Sequence, residues 1–67
     1  MTKDEVEVKQ YFICEERGDI LFYKKAGGFE FRQAGAGGWH PVGEGTPQPE
    51  GEVHIASQDE ISRITGV

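Results

Sequence analysis

The chain has 67 residues, with 12 acidic against 7 basic side chains and a formal net charge of −5. That length limits it to one domain. The acidic balance excludes general coating of nucleic-acid phosphates, which needs lysine and arginine to release counterions.

No apolar run approaches the ~20 residues of a membrane-spanning helix, so no membrane partner is expected. The start, MTKDEVEVK, carries no apolar signal region. With Cys14 as the single thiol, this points to a cytoplasmic setting without disulfides. A domain this small hides only about 60% of its unfolded surface. Burial then roughly balances the cost of ordering the chain. The expectation is either a very well packed core or a second copy of the chain laid over an exposed sheet face.

Residues 1–4 are polar and read as frayed. From Glu5 the pattern alternates: Val6, Val8, Gln10, Phe12 and Cys14 share one parity, while Tyr11 and Ile13 interrupt the other, polar one. A period of two with β-branched and aromatic residues predicts a strand. Tyr11 and Ile13 suggest that its second face is partly covered as well. Glu16-Arg17-Gly18-Asp19 reads as a turn on Gly18, which also accounts for an Arg-Gly-Asp tripeptide in a chain with no export signal. Ile20–Lys25 and Phe29–Gln33 follow as strands around an Ala26-Gly27-Gly28 turn. In the second of them Phe29 and Phe31 face the core, opposite Glu30 and Arg32. The stretch from Tyr11 to Gln33 holds six of the seven aromatic residues and reads as a three-stranded meander.

Residues 34–51 hold six of the ten glycines and all three prolines. They predict a flexible loop around one apolar island, Trp39-His40-Pro41-Val42, with Trp39 anchoring a short fourth strand or folding back on the core. Glu52–Ala56 alternates again with Val53 and Ile55 inward. Ser57-Gln58-Asp59-Glu60 is a capping box, and it opens a helix of about two turns carrying Ile61 and Ile64, with Gly66 as its stop. The core candidates are Val6, Val8, Phe12, Cys14, Ile20, Phe22, Phe29, Phe31, Trp39, Val53, Ile55, Ile61 and Ile64.

Catalytic and ligand-binding patterns are sparse. Cys14, His40 and His54 do not fall in spacings that pre-build a zinc site, so no metal or cofactor is assigned. Ser57 serves the helix cap better than it would serve as a nucleophile. Gly35-Ala36-Gly37-Gly38-Trp39-His40 begins like a dinucleotide fingerprint, but His40 replaces the last glycine and no long helix follows. Gly43-Glu44-Gly45-Thr46 lacks the lysine of a phosphate loop.

Gly28-Phe29-Glu30-Phe31 resembles the Gly-Phe-Gly-Phe strand of cold-shock domains, small OB-type barrels that bind single-stranded RNA and DNA. Glu52-Val53-His54-Ile55 with Ser57 resembles their histidine-bearing strand. Glu30 departs from that pattern by placing a carboxylate where phosphate would approach, and the first-strand signature is missing.

The composition and pattern define an α+β, mostly β domain spanning residues 1–67. It has three to five antiparallel strands, arranged as a meander or a small SH3- or OB-like barrel, with a short C-terminal helix. The leading function is a small, acidic, non-catalytic protein-interaction module, with self-association left open. It would use Trp39, His40 and Tyr23 against a protein partner, since aromatic anchors dominate interfaces. The alternative is single-stranded nucleic-acid binding through Tyr11, Tyr23, Lys25 and Arg32, by stacking beside basic groups. A very small oligomeric enzyme, its site shared between subunits, is the third reading.

Overall fold

The computed structural model describes residues 1–66. They form one five-stranded antiparallel sheet with one C-terminal helix. The strands are β1 (Tyr11–Cys14), β2 (Arg17–Lys25), β3 (Gly28–Gln33), β4 (His40–Pro41) and β5 (Val53–Ile55), and α1 spans Gln58–Thr65. The strands lie in the order β4-β3-β2-β1-β5. The first four run as a meander, and β5 returns to pair with β1, setting Phe12 opposite Ile55 and Cys14 opposite Val53. Of the two architectures left open by the sequence, the ladder is the open one, with β4 and β5 at its edges.

The sheet is covered on both faces. One core holds Val6, Phe12, Cys14, Ile20, Phe22, Phe31 and Val53, with Phe29 and Val42 packed against it. The other holds Ile13, Leu21 and Ile64, joined by Trp39, Ala56 and Ile61. This explains the continuous apolar runs at the centres of β1 and β2, where Phe12-Ile13-Cys14 and Ile20-Leu21-Phe22 are all buried. Strands covered on both sides lose the alternation that marks a half-wet sheet. Ile13 and Leu21, absent from the core expected on alternation, are therefore among its most buried side chains.

The N-terminal segment departs from the expected long first strand. Lys3–Glu5 is a 3₁₀ turn, closed by the Thr2 amide donating to Glu5 Oε1 at 2.8 Å. Residues 7–10 form a second turn, in which Lys9 takes a positive φ of 74° and the Gln10 amide donates to the Glu7 carbonyl. The strand begins only at Tyr11. The parity of Val6 and Val8 breaks here: Val6 is buried and Val8 is 48% exposed. Lys24 fastens the segment by donating from Nζ to the carbonyls of Lys3 and Asp4, 3.1 and 3.3 Å away, while lying 5.8 Å from the Phe29 ring centre. Ile55, expected inward, is 39% exposed at the β5 edge.

The expected turn at residues 16–19 also moves. Cys14 faces Arg17 across the hairpin, so Glu15 and Glu16 make the turn, and Gly18 lies inside β2 without positive φ. From Phe12 to Cys14 is two steps, while from the opposing Phe22 to Arg17 is five. The excess on β2 is a bulge, and a glycine within a strand suits such a bend. The turn at Ala26-Gly27 stands where expected, with Gly27 at φ 90°.

The helix matches its signals closely. The Ser57 hydroxyl accepts from the Glu60 amide at 3.2 Å, and the Glu60 carboxylate accepts from the Ser57 amide at 2.9 Å. Gly66 ends α1 in the left-handed conformation at φ 76°. Asp59 and Glu60 sit in the first turn and Arg63 in the last, each favourable to the helix dipole.

Candidate functional site

Cross-strand pairing sorts the side chains by face. Phe12, Phe22, Phe31 and His40 lie in register on one side. Tyr11, Tyr23, Glu30 and Pro41 lie in register on the other, the side that α1 partly covers. Beside the helix, three aromatic rings meet. Tyr11 and Tyr23 stand 4.8 Å apart between ring centres, Tyr11 and Trp39 5.7 Å, and Tyr23 and Trp39 6.2 Å, with mutual tilts of 41° to 61°.

Their placement follows from the chain path. Tyr11 and Tyr23 are a directly opposed pair of β1 and β2. Trp39, just ahead of β4, folds back over the same face to reach both. The rings fill the space among themselves, so the feature is a platform rather than a cage. Tyr11 is 37% exposed, and Tyr23 and Trp39 are half-buried.

The residues expected to mediate binding are thus redistributed. Trp39 and Tyr23 come together, and Tyr11, expected only for nucleic acid, completes their cluster. His40 points to the opposite face, its ring 5.6 Å from Phe31. Lys25 forms an ion pair with Glu30 at 3.6 Å. Arg32 donates through Nη2 to the Thr65 carbonyl at 3.2 Å, at the C-terminal end of α1. Phe31 is buried and Phe29 packs on the first core, as the alternation of that strand predicts. In Gly43–Thr46 the threonine hydroxyl is turned onto Gly43, donating to its carbonyl and accepting from its amide, both at 2.7 Å.

A second cluster joins residues that lie far apart in the chain. His54 Nδ1 is 2.6 Å from Glu15 Oε1, and Nε2 is 2.9 Å from Glu60 Oε2. The β1–β2 turn, β5 and the first turn of α1 therefore meet on one imidazole. Hydrogen bonds first to Glu60 and then to Glu15 raise the His54 pKa above the ordinary imidazole range. The Ser57 amide, followed by His54, lowers that of Glu60. Both ring nitrogens are engaged by carboxylates. Among the described residues no cluster of His, Cys, Asp and Glu could hold a metal ion. Cys14 is buried, and burial pushes its thiol pKa up, away from reactivity.

The raised His54 pKa stabilises the fold fully below about pH 6.5, the unfolded imidazole value, and that contribution is lost as pH rises through the folded value. The lowered Glu60 pKa acts oppositely, stabilising above the ordinary carboxylate range and failing as pH falls. His54→Gln should therefore narrow the gap in urea midpoint between mildly acidic and alkaline solution. The side chain is 38% exposed, so screening holds the effect below about 1 kcal/mol. An unchanged gap would mean that the clasp does not couple to folding.

No family model matches the chain, and neither a curated protein nor a solved structure matches it. Among the described residues no helix is long and apolar enough to cross a membrane.

Proposed function

We propose that this chain is a non-catalytic protein-interaction domain whose contact surface is the Tyr11–Tyr23–Trp39 platform. The observation that carries the reading is the joining of three aromatic rings from β1, β2 and the approach to β4 on the part of the sheet beside α1. Tyrosine and tryptophan offer large contact area with few rotatable bonds, and they are enriched among residues that dominate interface energies. A second copy of the chain is one candidate partner, consistent with the thin energy balance of so small a domain.

Single-strand binding would use the same rings, but its cations are already engaged. Lys25 is paired with Glu30, and Arg32 reaches the end of α1. The net charge of −5 also opposes phosphate.

The test uses the immobilised domain in extract from its own cells, with self-association followed by sedimentation equilibrium in parallel. Trp39→Ala and Tyr11→Ser should each weaken the principal complex by about 2 kcal/mol, or ~30-fold. Amide spectra should confirm that both variants remain folded. Retention of full binding by two folded variants would defeat the assignment.

A further inference from the structure

The two arginines nearest the C-terminal end of α1 lie together. Arg32 and Arg63 line an open hollow of about 450 Å³, with Gly35, Ala36 and Gly37 on one side and the last turn of α1 on the other. That volume lies within the range of small-ligand clefts, about 300–1,000 Å³. Neither arginine has a carboxylate partner among the described residues, although five such ion pairs occur elsewhere. Arg32 Nε is buried and has no acceptor among the described residues. Its Nη2 is held by the Thr65 carbonyl, which fixes the guanidinium in place.

The carboxylates of α1 and of the neighbouring strand lie away from the hollow. The helix carboxylates, Asp59 and Glu60, occupy the first turn of α1, at the far end from the hollow. Asp19, whose carbonyl accepts from the Ala34 amide, turns its carboxylate to Arg17 at 3.4 Å. The carbonyl end of the helix dipole does face the hollow, but Arg32 satisfies one of its carbonyls directly. On the loop side, the Ala36 amide closes a turn onto the Gln33 carbonyl, with Gly35 at φ 83° and Gly38 at φ 84°. Glycines in such turns let backbone amides approach a bound anion closely.

We infer that the hollow between the Gly35–Gly37 turn and the end of α1 binds a phosphate-type oxyanion through Arg32 and Arg63. Exposed Arg63 can present the paired donors of its guanidinium to such oxygens, with Arg32 as a fixed positive charge beside it. The glycine run, which resembled a nucleotide loop but lacked the helix to complete one, would here work beside arginines instead of a helix N-terminus. The site is separate from the aromatic platform, and its test does not depend on the partner of that surface.

The probe is inorganic phosphate, titrated into the full chain and followed by amide and arginine-side-chain resonances, with chloride at equal ionic strength as control. Saturable shifts should appear at Gly35, Ala36, Gly37 and Arg32 Nε–H with phosphate and not with chloride. Arg63→Gln removes an exposed side chain and should leave the fold intact while weakening binding by about tenfold. Arg63→Lys should fall between the two, since lysine keeps the charge but loses the fork. Shifts that never saturate, that chloride reproduces, or that Arg63→Gln leaves unchanged would overturn the assignment.

Discussion

Phe12→Ala is expected to leave this domain largely unfolded. Phe12 has 0% exposure, stacks on Phe22 at 5.4 Å and meets Phe29 edge-on at 5.8 Å. Truncating such a ring costs about 3–5 kcal/mol. A chain of this length has roughly 3–10 kcal/mol of stability in all. Urea unfolding followed by tryptophan emission would measure the loss, with Val8→Ala as the internal contrast. Val8 has the same parity as Phe12 but stands 48% exposed, so its truncation should shift stability by no more than about 0.5 kcal/mol. Equal losses at the two positions would mean that the N-terminal segment continues β1 after all.

Ile64→Ala is expected to detach α1 from the sheet. The helix is eight residues long, too short to persist alone in water. Ile64, at 3% exposure, is its one fully buried side chain, and it meets Ile13 and Leu21 on the second face. The loss should be about 2–5 kcal/mol, larger than the ~1 kcal/mol expected for removing the Ser57 cap. Amide exchange would separate two outcomes. Faster exchange confined to α1 means that the helix undocks as a unit, and faster exchange throughout means that both cores melt together. Protection unchanged in α1 would show that the second core does not hold the helix.

These two experiments address the parts of the fold that differ in how readable they were. Where one face of a strand is dry and the other wet, the side-chain pattern is direct, and Phe29 to Gln33 was legible for that reason. The helix was legible because both ends carry local chemistry: Ser57 with Glu60 at the start, Gly66 at the stop. The second core was not, since Ile13 and Leu21 sit where a half-wet strand would place polar groups. The docking of α1, more than 30 positions away in the chain, together with Trp39 and Ala56, makes them interior. Gly18 misled because a glycine between charged residues looks the same in a turn and in a bulge. The Thr2–Glu5 spacing did signal a helical turn near the start, but the alternation of Val6 and Val8 masked it.

The candidate site divides in the same way. Aromatic character marked Tyr11, Tyr23 and Trp39, but only the fold-back of residue 39 unites them. His40 follows Trp39 directly and therefore faces the other side of the sheet. Glu15 and His54 are 39 positions apart, and nothing local relates them until β5 pairs with β1.

The outermost strands have a consequence for life at high concentration. One is two residues long and contains Pro41, which has no amide hydrogen to donate, and the other is three residues long, with the Val53 amide already given to the Met1 carbonyl. Lateral growth of the ribbon, the usual first step toward fibrils, thus finds almost no open ladder to extend. Edge-to-edge pairing of crowded copies is therefore disfavoured, which leaves side-chain surfaces as the easier contact between them.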